Sequence, residues 1–170
     1  IMSKRMMVGP TAVLLLCIPV LSIAANRSDV ADAVMKGDSG AVQKLLQQKA
    51  DVNAQQADGA SALHWAVYRD DPETADLLIR AGARANVVNR AGITPLYMAS
   101  LYGNVTMIGK LLKAGADAKQ TGPSGETMLM LAARNGNPDA IKMLLVAGVD
   151  VNAKEPLRGT TALMWAAEQK

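Results

Sequence analysis

The sequence contains no phenylalanine and few other aromatic side chains, with 2 Trp and 3 Tyr among 170 residues. A core without Phe must be built from Leu, Ala, Val, Ile and Met, which suits closely packed helices with small contact residues. One Cys and one His are too few for a disulfide framework or for a transition-metal site with thiolate and imidazole ligands. Half of the residues are apolar, which excludes a disordered polyelectrolyte and favours one folded domain.

A strong excess of charge of either sign is also absent. The chain has 18 Lys and Arg against 15 Asp and Glu, a net charge of +3. Two of the basic residues, Lys4 and Arg5, lie in a leader that we expect to be removed, which leaves a net charge of +1. A nucleic-acid partner would require a concentrated cationic face. We therefore expect no nucleic-acid binding.

The first 24 residues have the layout of a secretory signal peptide. A cationic start at Lys4 and Arg5 is followed by an almost wholly apolar run over 12–21 and by small residues up to Ala24. This order of zones predicts cleavage after Ala24, with Ala25 as the alternative position. The single Cys17 would leave with the leader, which fits an oxidising compartment. We expect a periplasmic or secreted protein, and the short leader favours a bacterial source.

A retained membrane anchor is the alternative for this leader. Gly9, Pro10 and Pro19 interrupt its apolar run, and a helix that spans a bilayer needs about 20 apolar residues. We therefore expect contact with a membrane only if the leader stays uncleaved.

The rest of the chain repeats itself with a period of 33 residues. Four positions recur in this register: a Gly, the Leu four residues after it, a second Gly, and a second Leu four residues before that Gly. One extra residue precedes the last copy of the first two positions. The positions are Gly59, Gly92, Gly125 and Gly159; Leu63, Leu96, Leu129 and Leu163; Gly82, Gly115 and Gly148; and Leu45, Leu78, Leu111 and Leu144. Asn53, Asn86 and Asn152 share a further register in which Lys119 fills the intervening slot. The organisation is therefore a tandem array of similar units.

The repeat resembles the ankyrin family. The segment Thr94-Pro95-Leu96-Tyr97-Met98-Ala99 is similar to that family's T-P-L-H-x-A signature, and two other units carry related copies, at 61–66 and 161–166. The segment Ala114-Gly115-Ala116-Asp117 is similar to the family's A-G-A-D turn, and Leu111-Leu112 to the double Leu of its second helix. The resemblance covers the chain from about Ser28 to Lys170, and the leader makes the chain similar to exported bacterial members of the family.

This resemblance implies an all-α solenoid of stacked helix–turn–helix units with protruding β-turn fingers. We expect a capping unit over 25–56, repeats over 57–89, 90–121 and 122–155, and the start of a further, truncated repeat over 156–170. Thr94 and Ser28 are expected to cap first helices, with Pro95 at a first helical position. Since the chain stops midway through a unit, we expect it to be a fragment that lacks at least one further helix.

Two positions depart from the pattern. Lys49 stands where the other units have a helix-ending Gly, and Asp70 stands where Gly103 and Gly136 stand. A left-handed conformation costs a non-Gly residue roughly 1–2 kcal/mol. We therefore expect strain at Lys49 and an altered or strained turn at Asp70.

Two local strings suggest chemistry. Ser39 lies in a Gly-Asp-Ser-Gly string and would be a nucleophile if His64 were its base, but Asp38 is better explained as a helix cap and no second protease element is present. The segment 103–110 resembles a phosphate loop with the wrong spacing and with Leu111 in place of Ser or Thr. His64 occupies the family's His position, which has a structural role. We therefore expect no catalytic, cofactor or metal residues.

Ankyrin domains bind proteins with their finger tips and the inward-facing surface of their first helices. Carried over to this sequence, that resemblance implies ten partner-binding residues: Tyr68, Arg69, Arg90, Ile93, Leu101, Tyr102, Pro123, Glu126, Arg134 and Asn135. All five aromatic residues lie on first helices, where Tyr68 and Tyr102 should be exposed and Trp65, Tyr97 and Trp165 buried or half-buried. Tyr and Arg are enriched among the energetic anchors of interfaces. The alternative is a solvated helix face without a partner.

These features predict a monomeric, exported adaptor that binds a protein partner and performs no chemistry. The alternative is an N-terminal targeting module of a longer exported enzyme or receptor whose working domain lies beyond Lys170.

Overall fold

A computed structural model describes residues 28–168. The predicted signal peptide, with both of its cleavage positions, lies outside the described residues. Within 28–168 the chain forms nine α-helices joined by short turns and longer loops. They are α1 (Asp29–Lys36), α2 (Ser39–Gln47), α3 (Ala62–Tyr68), α4 (Pro72–Arg80), α5 (Pro95–Leu101), α6 (Val105–Lys113), α7 (Met128–Arg134), α8 (Pro138–Val146) and α9 (Ala162–Ala167).

The helices form hairpins that stack in series. Each first helix packs on the second helix of its own pair, from α1 on α2 to α7 on α8. The first helices α1, α3, α5, α7 and α9 contact one another in order, and α4, α6 and α8 do the same on the other layer. The described residues contain no strands, only an isolated bridge between Thr121 and Thr127. The predicted all-α solenoid is therefore confirmed.

The core between first helices is built from alanine and leucine. Ala66, Ala99 and Ala132 are each 0% exposed, and their small side chains let neighbouring helices approach closely. Leu63 and Leu96, each 1% exposed, fill the space beside them. Methionines such as Met107 on α6 and Met130 on α7 are also fully buried, and their unbranched side chains adapt to irregular spaces in a core.

Side-chain caps begin most of the helices. The Thr94 hydroxyl accepts the backbone N–H of Tyr97 at 3.1 Å, and Asp71 Oδ1 accepts that of Thr74 at 2.9 Å. Each cap satisfies a donor that has no partner inside its helix. Ser28 is an exception, because its hydroxyl donates to Asp32 Oδ1 at 3.2 Å and makes no cap bond. The cap predicted for Ser28 is therefore wrong.

Lys49 and Asp70 both have a positive φ, of 57° and 51°. Lys49 therefore adopts the strained left-handed form expected of it. Asp70 keeps the geometry of the glycines in the same register, Gly103 at 67° and Gly136 at 64°, so that its turn is strained without being altered. Asn104 Nδ2 donates to Asp70 Oδ1 at 2.5 Å, which ties this turn to the next unit.

The fingers are closed by one backbone hydrogen bond at each base. In three of them the bond spans four residues, from Gln56 N to Ala60 O at 2.8 Å, from Asn89 N to Ile93 O at 3.0 Å and from Gly122 N to Glu126 O at 2.8 Å. In the last finger it runs from Glu155 N to Thr160 O at 3.1 Å, one residue further. The single insertion in the 33-residue repeat is therefore accommodated inside this finger.

The Glu155 carboxylate organises the longer finger. Its oxygens accept backbone N–H groups of Leu157, Arg158 and Thr160 at 2.7–3.1 Å and the Thr160 hydroxyl at 2.8 Å. Glu155 is 4% exposed. The Thr160 hydroxyl, acting with these backbone donors and against the effect of burial, lowers the pKa of Glu155 to about 2.

Asparagine side chains bridge the loops of successive units. Asn53 Nδ2 donates to Gly82 O at 3.0 Å while its Oδ1 accepts the backbone N–H of Arg84 at 2.8 Å. Asn86 makes the same pair of bonds one unit later, to Gly115 O at 2.9 Å and from Asp117 N at 2.7 Å. Lys119 occupies the next position in this register and cannot accept a hydrogen bond through its ammonium group. The asparagine bridge is therefore absent at this one junction.

Candidate functional site

Two exposed tyrosines lie side by side at the C-terminal ends of first helices. Tyr68 ends α3 and is 60% exposed, and Tyr102 follows α5 and is 54% exposed. Their ring centroids are 6.5 Å apart at an interplanar angle of 63°, and Trp65 meets Tyr68 edge-on at 5.6 Å. These contacts hold the rings in place without burying them.

Tyr68 contributes to the lining of two surface cavities. One, of about 620 Å³, lies between the C-terminal ends of α3 and α5 and includes Val67, Tyr102 and Asn104 in its lining. The other, of about 290 Å³, lies between first helices and fingers and includes Asp58 and Met98. A partner's side chain on either side of the Tyr68 ring would therefore meet an aromatic wall.

The other first-helix positions are partly used inside the stack. Arg69 is exposed, and its Nη1 donates to Met35 O at 3.3 Å. Asn135 Nδ2 donates to Ser100 O at 2.8 Å and to Leu101 O at 3.1 Å. Both side chains therefore join one unit to the preceding one and remain accessible at the surface.

Arg134 and Leu101 are half-buried. The guanidinium carbon of Arg134 lies 5.3 Å from the centre of the Trp165 ring, a cation–π arrangement. Leu101 packs against the hydrophobic core. These two residues support the exposed face and contribute less surface to it.

The fingers lie edge to edge. Arg90 N donates to Asp58 O at 2.9 Å, which joins the first two fingers. A Cβ atom on Gly59, whose φ is +82°, would lie 2.9 Å from that same Arg90 nitrogen. Glycine is therefore required there both for its conformation and for the close approach of the chains.

Three of the four predicted finger residues reach the surface. Arg90 and Pro123 are exposed, and Ile93 is half-buried. Glu126 is only 8% exposed. The Tyr97 hydroxyl donates to Glu126 Oε1, and Ser124 N donates to Oε2 at 3.0 Å. The expectation that Glu126 offers a contact at a finger tip is not met, because its side chain turns inward and braces the finger.

Burial raises the pKa of Tyr97 to about 12, and the Glu126 carboxylate adds to this effect. Gly122 allows the arrangement, because a Cβ atom there would collide with the Tyr97 ring and lie 2.6 Å from Glu126 Oε1. Among the described residues this pair forms at one junction only, between Tyr97 of one repeat and Glu126 of the next, so that the repeat itself gave no sign of it. Sequence reasoning therefore missed the role of Glu126.

His64 is a neutral structural histidine. Its Nδ1 accepts the backbone N–H of Ser61 at 3.2 Å and also lies 2.9 Å from the Ser61 hydroxyl, so Nε2 carries the proton and donates to Ile93 O at 3.0 Å. Burial lowers the pKa of His64 below 6.5, and the bond to Ile93 and the charge of Asp58 oppose this effect only in part. Since both ring nitrogens are engaged, His64 is not placed to act as a base for Ser39, which begins α2.

Other kinds of site have little support in the part of the chain that the structure describes. No group of three or more His, Cys, Asp or Glu side chains over 28–168 is arranged to hold a metal ion. Among the described helices, none has the length and apolar character needed to cross a membrane.

Comparison with known proteins agrees with this architecture. A family model described as ankyrin repeats in three copies matches residues 30–122 and 102–170. No curated protein matches the chain. Repeats of this family suggest a module for protein–protein interaction. Since the two matches together cover most of the chain and the stacked helix pairs agree with them, the chain belongs to the ankyrin-repeat family.

Proposed function

We propose that this protein is an exported, non-catalytic adaptor that binds a protein partner across the tyrosine surface, formed by Tyr68, Arg69, Leu101 and Tyr102. The family supports a protein-binding role. The observation that carries the proposal is the pair of adjacent, exposed tyrosine rings held by edge contacts with each other and with Trp65.

Energetic considerations favour this surface. Tyrosine loses little conformational entropy on binding and presents both an apolar ring and a hydroxyl. Because the rings already contact one another, part of their ordering is complete before a partner arrives. The partner reaches both cavities beside Tyr68 and adds polar contacts with Arg69, and with Arg90 on the neighbouring finger. The adaptor acts as a monomer in the periplasm or outside the cell.

The first experiment compares capture of partners by three forms of the full chain. Immobilised wild-type protein, Y68A/Y102A and L157A are incubated with proteins of the exported fraction, and captured proteins are quantified by mass spectrometry. Leu157 is 80% exposed and lies on the last finger, which makes it a matched loss of exposed apolar surface. Each anchor tyrosine contributes at least about 1 kcal/mol to binding, so the double variant should retain at most a tenth of the wild-type signal.

The thermal midpoint of Y68A/Y102A should stay within a few degrees of the wild type, because exposed substitutions cost little stability. Equal capture by the double variant and the wild type would refute a role for the tyrosines. An equal loss in L157A would show that binding depends on exposed apolar surface in general.

Export is tested by the intact mass of the protein recovered from the cell envelope and the medium. Removal of the signal peptide predicts a chain that begins at Ala25, or at Asn26 if cleavage follows Ala25. A full-length mass in the membrane fraction would instead favour the retained anchor.

A further inference from the structure

An apolar groove runs between α6 and α8, in the layer of second helices and away from the tyrosine surface. It has a volume of about 490 Å³, and its walls include Gly109, Leu112, Met143 and Val146. Val146 is 89% exposed and Met143 37%. Lys113 and Lys142 form its charged border. The groove therefore combines an accessible apolar floor with positive charge.

The repeat provides an internal comparison for this groove. One unit earlier, Asp76 and Lys110 occupy the positions equivalent to Gly109 and Met143, and Lys110 Nζ meets Asp76 Oδ2 at 2.5 Å. That ion pair bridges α4 and α6. Between α6 and α8 glycine provides no side chain to bridge the gap, and a Cβ atom on Gly109 would lie 3.6 Å from Met143 Sδ. The groove therefore has an apolar contact at the place where the preceding interval has an ion pair.

The walls determine which backbone conformation an occupant can have. Both are α-helices whose N–H and C=O groups bond within the helix, so that they offer no hydrogen bonds to an extended peptide. A partner helix forms its backbone hydrogen bonds internally, so that burial in the groove leaves none of its backbone groups without a partner. α6 and α8 have nine residues each, a length of about 13 Å. Two to three turns of a helix match this length.

The charged border determines the chemistry of that helix. Lys113 follows Leu112 at the C-terminal end of α6, and Lys142 lies on α8, where its Nζ is 3.6 Å from Asp139 Oδ1 and its side chain is 75% exposed. Such an exposed pair contributes little, so Lys142 can turn to a stronger partner. Carboxylates beside an apolar stripe would meet both ammonium groups. We propose that the groove between α6 and α8 binds an acidic amphipathic helix of a second protein partner.

The test uses two synthetic helices of 14 residues, each closed by a hydrocarbon staple on its outer face. Both carry Leu at positions i and i+4, and the Leu pair is flanked by Glu in one peptide and by Lys in the other. Each is titrated into the full chain carrying ¹³C-methyl methionine, with the Met143 resonance identified by its loss in M143L. The Glu helix should shift the Met143 methyl signal to saturation, with an affinity at least tenfold higher than that of the Lys helix.

Two variants of the chain test the groove itself. G109D/M143K reproduces the ion pair that bridges the preceding interval. V146E places a negative charge, which repels the Glu helix, on a residue that is 89% exposed and whose substitution should cost little stability. Each should weaken binding of the Glu helix at least tenfold, measured by fluorescence anisotropy of labelled peptide. V146E decides the question if G109D/M143K does not fold. Y68A/Y102A should bind the Glu helix like the wild type, which separates this site from the tyrosine surface.

Several results would overturn the proposal. Equal affinity for the Glu and Lys helices would show that the charge of the partner plays no role. Unchanged binding by V146E would show that the helix does not bind in the groove. Displacement of the Glu helix by laurate at a lower concentration than unlabelled peptide would identify an anionic alkyl chain as the occupant. A Met143 shift that depends on protein concentration without peptide would identify a second copy of the chain.

Discussion

Removal of one hydroxyl group, in Y97F, tests whether the inward-turned Glu126 braces its finger. The substitution keeps the aromatic ring of Tyr97, which is 8% exposed, and removes only its hydrogen bond to the Glu126 carboxylate. A hydrogen bond to a charged group contributes about 1.5–3 kcal/mol to stability. Since the Glu126 carboxylate would keep only its bond from Ser124 N at 3.0 Å, the free energy of unfolding should fall by about that amount.

The loss should appear as a decrease in the thermal midpoint of roughly 3–12 °C, since a chain of this size loses about 2–4 °C per kcal/mol. Urea denaturation followed by far-UV circular dichroism gives the free energy directly. Y102F is the matched control, because it removes the same group from a ring that is 54% exposed, and it should change stability by less than about 0.5 kcal/mol. E126Q should give an intermediate loss, because it keeps the acceptor and removes its charge.

The same pair predicts a dependence on alkaline pH. The pKa of Tyr97 is raised from 10.0 to about 12 in the folded protein. The unfolded chain therefore loses this proton first, and stability should decline as the pH rises from 10 to 12. In Y97F that component of the decline should be missing. If Y97F and Y102F are equally stable and share the wild-type profile, the hydroxyl does not support Glu126 and the inward brace is refuted.

Three further predictions concern other positions in the stack. K119N should add the missing asparagine bridge, to Gly148 O and Asp150 N, and raise the free energy of unfolding in urea by about 1–2 kcal/mol; an equal gain in K119Q would attribute the effect to the lost charge. Because the pKa of Glu155 is lowered from 4.5 to about 2, its contribution to stability should be lost as the pH falls from 4.5 to 2, and chemical denaturation over this range should show a weaker dependence in E155Q. Because burial lowers the pKa of His64 below 6.5, the unfolded chain takes up a proton first and stability should fall as the pH drops below 6.5. H64M should remove this dependence while keeping the fold, since Met130 fills the equivalent position and its sulfur accepts Thr127 N at 3.4 Å; an unchanged acid profile in H64M would contradict the assignment.

The 33-residue period was enough to predict the stacked helix pairs, because each unit has cap residues and small contact residues at the same positions. Thr94 and Asp71 supply the caps, and Ala66 and Ala99 permit close helix contacts, so that the period itself encodes the two-helix unit. Over residues 28–168 the Tyr97–Glu126 pair occurs once, and it carries no periodic signal. Its formation depends on the space beside Gly122, which only the folded arrangement of the finger reveals.

The candidate surface was predictable to a similar degree. The exposure of Tyr68 and Tyr102 follows from their positions at the ends of short helices whose opposite faces are buried. The bonds of Arg69 and Asn135 to the preceding unit depend on the distance between stacked helices, which no single unit contains. The Asp70 turn takes the strained form, one of the two that the sequence predicted, because its backbone keeps the positive φ of the glycines in the same register.

The placement of the two tryptophans makes this chain its own spectroscopic probe. Trp65 donates through Nε1 to Gln56 Oε1 at 2.6 Å, near the start of the described stack, and Trp165 lies beneath the Arg134 guanidinium on α9 at its other end. Their indole rings have different surroundings, so their emission should differ, and units of such arrays contact only their neighbours. Fraying from one end would therefore change the fluorescence of one indole before the other, and W65F would leave Trp165 as a single reporter of the far end.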